Sequence, residues 1–474
     1  MKASILFREQ PLRGPGRLGD AGAGVVRDSR QVLPHQLFVA IGVDAKTNAE
    51  AAVAAGAAVV ITEQPLGTST EWLTPHARWS FARAHAASTG IDELTVPVVA
   101  VTGTKGKTTT AWAAWWALGL GAARVGTVGW HDGITEHTAQ QTTPPPEELH
   151  AFLAGCARNC PGVAIEASSH AGDQHRLAGI SFAGLAVTGI GRDHLDYHRT
   201  MAAYVAAKME LVHQLGVGKT LIVNADDERA ATFMHAGHAV GARVLSLGFN
   251  RGEARLRQHG ATWRLHVLDG DLIVPCALPG AFNAWNMAAG ALLAEAAGVA
   301  LPTALARLDS MPAVPGRLEL CGTQPLTYVD YAHTAESLTQ VCIALRQRHP
   351  GQRLVLVFGC GGDRDPGKRG PMGQAALAAD VGIVTTDNPR SENPATIAAA
   401  VIAGGDKRLL VELDRRAAIR QARDLAGVDG VVVVCGKGHE TEQIIGSARL
   451  QFDDRAEVRA LVAKQAAKQP GMPP

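Results

Sequence analysis

The stretch that most constrains this chain is an apolar run, Val96–Val101. It passes into Thr102-Gly103-Thr104-Lys105-Gly106-Lys107-Thr108-Thr109-Thr110 and then into a helical pattern of Ala, Trp and Leu. A buried strand, a glycine turn and a helix N-terminus in that order gather backbone N–H groups into an anion cradle. Such a cradle sits at the carboxyl end of a strand, so the chain is committed to an α/β sheet whose ligands lie along that edge. Gly103, Thr104, Gly106, Lys107, Thr108 and Thr109 are the expected nucleotide-phosphate contacts, with Lys107 as a point charge and the Thr108 hydroxyl as a Mg²⁺ ligand. Only Thr104 and Lys105 separate Gly103 from Gly106, a shorter spacing than in the general phosphate loop. The bland alternative is a glycine turn that only reverses the chain; the strand before it and the helix after it favour the nucleotide. Trp112, Trp115 and Trp116 on that helix read as core packing rather than a base-stacking platform.

A chain of 474 residues exceeds one ordinary core and predicts three domains. Residues 1–95 hold short strand-like runs, Leu37–Ile41 and Ala57–Thr62, around the Ala-rich stretch Ala49–Gly56, a small α/β pattern. Residues 96–313 alternate apolar runs (Val163–Ile165, Leu185–Thr188, Leu221–Val223) with helical patterns, which predicts a parallel sheet. Residues 314–474 repeat that style with Leu354–Phe358, Val381–Thr385 and Gly430–Val434, and the helical stretch Pro394–Ala403. Two doubly wound domains behind a smaller first one are therefore expected.

The bulk numbers exclude several classes. With a net charge of +1, nothing argues for nucleic acid or an anionic membrane as the main partner. No apolar run reaches the roughly 18 residues needed to span a bilayer, and Met1–Pro15 lacks an apolar signal core, so a cytoplasmic protein is expected. Seven scattered cysteines argue against a disulfide framework. Cys156 and Cys160 would share one helix face, but no second pair completes a metal site, so they read as structural thiols and metal chemistry should use oxygen ligands.

Further motifs follow in order. They are Glu166-Ala167-Ser168-Ser169-His170, Arg192-Asp193-His194-Leu195-Asp196-Tyr197-His198 and Asn224-Ala225-Asp226-Asp227, then Gly280-Ala281-Phe282-Asn283, Gly316-Arg317-Leu318-Glu319 and Val329-Asp330-Tyr331-Ala332-His333. Last come Phe358–Lys368, Asp387-Asn388-Pro389-Arg390 and Gly436-Lys437-Gly438-His439-Glu440. From about Val26 to Phe452 this ordered set resembles the Mur ligases, within them most closely the branch that adds a diamino acid to UDP-N-acetylmuramoyl-L-Ala-D-Glu. The resemblance implies a small α/β N-terminal domain, a central P-loop ATPase-type domain and a Rossmann-like C-terminal domain. It also implies an ATP-dependent ligase: ATP phosphorylates the acceptor carboxylate, an amine attacks the acyl phosphate, and ADP and phosphate leave.

Bringing a carboxylate and a triphosphate together demands Mg²⁺ and fixed cations. Glu166 and His194 lie just past apolar runs, at strand ends, where a carboxylate oxygen and an imidazole can serve a hard cation. An ordinary surface carboxylate is the competing view of Glu166. Lys208 lies on the helical pattern Met201–Leu215, and a plain ammonium beside Mg²⁺ would be repelled. The resemblance implies instead that Lys208 is carbamylated, an anion able to bridge two Mg²⁺ ions; a solvated lysine is the alternative. It further implies that Asn283 and Asn286 lie near adenine, Arg317 on phosphate and Asp330 on ribose, with His333 nearby. Lys107, Lys208, His194 and Arg317 are the expected catalytic set.

The incoming amino acid is expected on the third domain. Arg390 could hold the far carboxylate of meso-diaminopimelate bidentately, which lysine does not offer. Arg369, Asp387, Asn388, Gly436 and Glu440 match the rest of that pocket, with Glu440 facing the distal ammonium. For the acceptor, Ser29 matches a uridine-side position, and Thr142, Thr143, Ser168, Gln174 and Arg176 match the muramoyl-peptide arm. The chain departs from the family pattern at Gly42–Asn48, which is short and lacks an aromatic, at Gly189-Ile190-Gly191, at Gln141 and at Ala335-Glu336. Two functions are thus expected in order: the diaminopimelate-adding ligase, acting as a monomer on small molecules, or a related ligase with a different, non-UDP carboxylate acceptor. An inactive nucleotide-dependent binding subunit ranks below both, because Lys107, Thr108, Glu166, His194 and Lys208 are intact.

Overall fold

The computed structural model describes residues 24–67, 70–156, 160–268, 270–405 and 408–468, with residues 466–468 described by backbone alone. The Met1–Pro15 stretch and the residues beyond 468 lie outside that set. The chain forms two compact units, one of Met1–Pro275 with Trp285–Leu308, the other of Cys276–Ala284 with Asp309–Pro474.

The first unit holds two sheets. A small parallel sheet runs Val25–Val26, Leu37–Val39, Val59–Thr62, Glu71–Leu73. Successive side chains point to opposite faces, so Leu37 and Val39 pack with Ile61, Trp72 and Phe81 while Phe38 packs with Ala49, Ala52 and Val60. The helices Ala45–Ala54 and Ala77–Thr89 supply those covering residues.

The second sheet has eleven strands. Its parallel centre is ordered Arg243–Gly248, Thr220–Asn224, Phe182–Val187, Val98–Thr102, Val163–Glu166, Ala123–Gly126. Val98–Thr102 is buried along its whole length, as a continuous apolar run must be when helices cover both faces of a sheet. Register then aligns the site: Val101 pairs with Glu166 and Thr102 with Val187, so Gly103, Glu166 and Thr188 emerge side by side at the carboxyl edge. Ala254–His259 joins one margin parallel to Arg243–Gly248 and is followed by the antiparallel Thr262–Val267 and Gly270–Val274, while the antiparallel Gly129–His131 and Glu136–His137 extend the other.

The second unit centres on a six-stranded sheet ordered Glu319–Thr323, Leu326–Asp330, Val431–Cys435, Leu354–Phe358, Val381–Val384, Leu410–Val411, parallel except for the first pair. Its alternating residues fill two cores, Leu356, Phe358 and Val433 on one face and Val355, Val357 and Val434 on the other. A hairpin, Glu442–Ile445 with Ala448–Gln451, stands apart from that sheet.

One local expectation needs correcting. The helix Pro146–Gly155 ends before Cys156, which is its C-cap, so Cys156 and Cys160 do not share a helix face. All seven cysteines are free thiols, and burial pushes Cys156 up to about 12. The Trp helix packs as expected: Trp112 is buried, and the indole N–H groups of Trp115 and Trp116 donate to Ala122 O and Arg307 O. Among the described residues no helix is long and apolar enough to cross a membrane.

Candidate functional site

In the first unit the helix Lys107–Leu118 starts from Gly106, whose φ of 82° lies in the left-handed region. A Cβ there would come within 2.7 Å of Asn286 Oδ1, which itself accepts from Thr110 Oγ1 at 3.1 Å. Asn286 thus braces the loop helix. Thr104 Oγ1 meets Tyr204 OH at 3.0 Å and accepts from Gly191 N at 2.9 Å, tying the loop to the Gly189–Gly191 segment. Lys107 Nζ folds back onto Gly103 O (3.1 Å) and Thr104 O (2.9 Å), and Thr109 is buried.

Glu166 is buried at 2% exposure, but it is fully engaged. Its Oε2 accepts from Thr108 Oγ1 at 3.0 Å and Thr127 Oγ1 at 3.1 Å, and its Oε1 from Thr127 N at 2.9 Å. Thr127, just past the strand Ala123–Gly126, had no signal in the sequence because one threonine after a strand is unremarkable. Three hydroxyls carry the network on from Glu166: Thr127 Oγ1 meets Thr142 Oγ1 at 2.9 Å, and Thr143 Oγ1, which donates to the Glu166 backbone carbonyl, accepts from Ser168 N at 3.0 Å.

Lys208, on the helix Met201–His213, is 1% exposed. Its Nζ donates to Gly103 O at 2.7 Å and lies 4.7 Å from the Tyr204 ring, with no acidic partner in contact among the described residues. Burial first, then Lys107, holds its pKa well below the usual lysine range, against the pull of Asp193. His194 sits at φ 51°, its ring edge-on to His170, and burial brings its pKa to about 4. It is therefore neutral at pH 7, with a lone pair to offer.

These donors suit Mg²⁺ in one specific manner. Among the described residues no three His, Cys, Asp or Glu gather closely enough to hold a metal. A hard cation here would take the Thr108 hydroxyl, Glu166 and His194 along with phosphate oxygens and water, as Mg²⁺ commonly does.

A cleft of about 220 Å³ lies elsewhere in the same unit, lined by Arg27, Arg78, Gln141, Gln174 and Arg176 among others. Arg176 Nε and Nη2 both donate to Gln174 Oε1, at 3.0 and 2.8 Å, so the two expected acceptor residues form one rigid wall. Arg27 and Arg78 were missed by sequence reasoning, since neither sits in a motif. Ser29 does not line this cleft; its hydroxyl donates to Asn48 Oδ1 at 3.3 Å.

In the second unit, Asp387, Asn388, Arg390, Gly436 and Glu440 come together at the carboxyl ends of Val381–Val384 and Val431–Cys435. A Cβ on Gly436, φ 114°, would fall 2.4 Å from Asp387 Oδ2. Asn388 Nδ2 donates to Glu440 Oε2 at 2.9 Å. Arg390, at φ 52°, donates from Nη1 to Gly362 O at 2.7 Å, and its backbone pairs with the hairpin through Ile444 O and Gly446 N. Arg369 points both bonds of one Nη2 at Glu392 (2.7 and 2.8 Å), leaving its buried Nε without a partner. Lys437, quoted only as part of a motif, is fully buried among these groups.

Asp330 is buried, and its two oxygens accept from Leu318 N and Ala332 N at 2.7 Å each. Burial raises its pKa, opposed by Arg317, which stacks 4.5 Å over Tyr331. Asn283 Nδ2 donates to Pro279 O at 2.8 Å.

A phosphate loop with a buried glutamate at its mouth, and a polar pocket at the edge of a second parallel sheet, define an α/β enzyme that uses a nucleotide triphosphate. Residues 101–294 match the Mur ligase middle domain and residues 316–438 the Mur ligase, glutamate ligase domain. The chain belongs to the Mur ligase family. It is 39% identical to a UDP-N-acetylmuramoyl-L-alanyl-D-glutamate–2,6-diaminopimelate ligase of Rhizobium meliloti, covering 93% of this chain and 95% of the relative. It is 37% identical to the ligase of that name in Mesorhizobium japonicum, over 98% of this chain and all of the relative. A solved structure of a ligase of the same name superposes with a TM-score of 0.69 at 33% identity, covering 94% of this chain and 95% of that one. MurF of Thermotoga maritima in complex with ADP shares the fold, with a TM-score of 0.61 at 17% identity over 94% of this chain and 98% of that one.

Proposed function

We propose that this chain is an ATP-dependent ligase that adds meso-diaminopimelate to UDP-N-acetylmuramoyl-L-Ala-D-Glu. The observation that carries this reading is near-full-length identity of 37–39% to ligases of that name. The acceptor carboxylate oxygen attacks the γ-phosphorus of ATP and ADP leaves. The amine then attacks the acyl carbon, loses a proton, and phosphate departs.

The phosphate loop and Lys107 hold the triphosphate, while Thr108, Glu166 and His194 would hold Mg²⁺. That ion, when bound, offsets the repulsion between carboxylate and triphosphate. Lys208 suits carbamylation because burial lowers its pKa and so favours the neutral amine, the form that adds CO₂ and releases a proton; the resulting carbamate would complete the ligand set of two ions. Arg317 and Asp330, with Asn283 and Asn286, serve the nucleotide in this reading. Thr142, Thr143, Ser168, Gln174 and Arg176, with Ser29, serve the acceptor. Arg390, Asn388 and Glu440, supported by Asp387, Gly436 and Arg369, receive the far end of the diamino acid. Residues 1–95, 96–313 and 314–474 then act as acceptor, nucleotide and amino-acid domains of a cytoplasmic monomer.

A second reading, a different carboxylate acceptor, is favoured by one feature. The stretch Gly42–Asn48 is shorter than the family pattern and lacks its aromatic, and Val43 within it stands fully exposed. The deciding experiment is phosphate release with ATP, Mg²⁺ and diaminopimelate, with and without the UDP-muramoyl dipeptide. Release that needs both, with the tripeptide seen by mass spectrometry, supports the first reading. Nucleotide binding without turnover supports the second.

A further inference from the structure

Lys437 is fully buried, and a buried ammonium persists only where each of its protons finds an acceptor. Three acceptors are present: Asn388 Oδ1 at 3.3 Å, Glu440 Oε2 at 3.2 Å, and the carbonyl of Glu442. The Ile444 N–H also donates to Asn388 Oδ1, at 2.9 Å. Two donors on one atom fix which end of the amide is oxygen.

The consequence falls on the groups that face outward. Asn388 must present its Nδ2; one N–H goes to Glu440 Oε2, and the other has no partner among the described residues. Glu440 Oε2 receives both Asn388 Nδ2 and Lys437, which leaves Oε1 of a half-exposed carboxylate open. Among the described residues Arg390 bonds through Nη1 only. The pocket therefore shows two donor groups, from Asn388 and Arg390, and one anionic acceptor, the complement of a carboxylate beside an ammonium.

We propose that Lys437 is the positioning residue that sets this polarity: it turns Asn388 to face the ligand as a donor and fixes one oxygen of Glu440. It touches no substrate and acts through both neighbours. The inference rests on the reading that this pocket receives the distal end of a diamino acid. Without Lys437 the amide oxygen is held by the Ile444 N–H alone and Glu440 loses its buried counter-charge, so recognition of both distal groups weakens.

The test compares diaminopimelate with lysine, which lacks the distal carboxylate, and 2-aminopimelate, which lacks the distal amine. Phosphate release is measured in the wild type and in Lys437→Met, with the acceptor present. The wild type prefers diaminopimelate over both analogues; if it responds to no amino acid, the functional reading fails before this one is reached. In Lys437→Met, preference over each analogue falls at least about tenfold, the scale on which losing matched hydrogen-bond partners erodes discrimination. KM for ATP stays within about twofold. An equal loss for all three amino acids, or an unchanged preference, overturns the proposal. Should Lys437→Met fail to fold, Asn388→Asp keeps the acceptor that Lys437 and Ile444 need and removes both N–H groups of Nδ2, the outward one and the one to Glu440 Oε2, whose loss bears on diaminopimelate and lysine alike. It is then expected to weaken diaminopimelate at least about tenfold more than lysine. Unchanged selectivity in that variant means the amide does not face the ligand as a donor, and refutes the inference.

Discussion

Asp454→Ala should cost the second unit about 3–5 kcal/mol, the usual penalty for breaking a buried ion pair. Arg415 and Asp454 have no exposed side-chain surface, and their bonds are bidentate, Nε to Oδ1 and Nη2 to Oδ2 at 2.7 Å each. Removing the carboxylate leaves the guanidinium with two backbone acceptors, Cys435 O at 2.9 Å and Thr386 O at 3.5 Å. Those carbonyls sit one residue before Gly436 and Asp387, so the pair also anchors the ends of the strands that carry the amino-acid pocket. For a unit of this size, 1 kcal/mol moves the midpoint by about 2–4 °C, so a drop of about 6–20 °C is expected. The assay is thermal and guanidinium unfolding followed by far-UV circular dichroism. All eight tryptophans lie in the first unit, so Trp fluorescence reports the other part of the chain and localises the loss. The double change Arg415→Met with Asp454→Leu should recover most of the stability, because a packed apolar pair avoids the stranded charge. A loss below about 1 kcal/mol in Asp454→Ala would falsify the argument that this guanidinium depends on its partner.

Other outcomes follow from the same geometry. Glu166→Gln should lower kcat/KM at least about a hundredfold, as expected when one fixed electrostatic partner is lost, and raise the Mg²⁺ concentration needed for half-maximal rate; an unaltered Mg²⁺ dependence would remove Glu166 from the ion's shell. Arg390→Ala should weaken diaminopimelate by about 1.5–3 kcal/mol, the worth of a hydrogen bond to a charged group, and lysine much less; equal losses would end the case for carboxylate recognition there. His150 is buried with its Nδ1 2.9 Å from Nδ1 of His85, which itself feels Glu147 and Arg27, and burial first, then His85, brings the His150 pKa to about 3. The unfolded chain binds this proton between about pH 6.5 and 3 while the native state does not, so stability rises with pH across that window and levels off above it, at up to ~1.4 kcal/mol per pH unit. His150→Phe should flatten that slope in denaturant titrations at several pH values, and parallel slopes would show that His150 binds its proton equally in the folded and unfolded states.

Much of this was legible because it is local. The apolar run before Gly103 gave the central strand to within two residues, and Leu354–Phe358 matches its strand at both ends. Hydrophobic continuity reports burial on both faces, and the glycine loop reports a turn that few other sequences make. What stayed hidden depends on register or on pairing across long separations. Thr127 reaches Glu166 only because Ala123–Gly126 lies beside Val163–Glu166. Arg27 joins the cleft through the fold of the small sheet, not through any motif. Lys437 was visible in its motif, but a lysine gives no sign in sequence of whether it is solvated or enclosed. The Cys156–Cys160 face failed because the helix stops at Gly155, where nothing in the spacing marks an end.

Arg390 holds a backbone angle that costs a residue with a β-carbon about 1–2 kcal/mol, and its amide and carbonyl are both clamped by the hairpin. Asparagine or glycine would occupy that bend with less strain. A variant library sorted for heat resistance would therefore drift toward those residues at 390 and discard the guanidinium. Sorted for growth on the diamino acid, the same library would keep it, so the two screens would pull this one position in opposite directions.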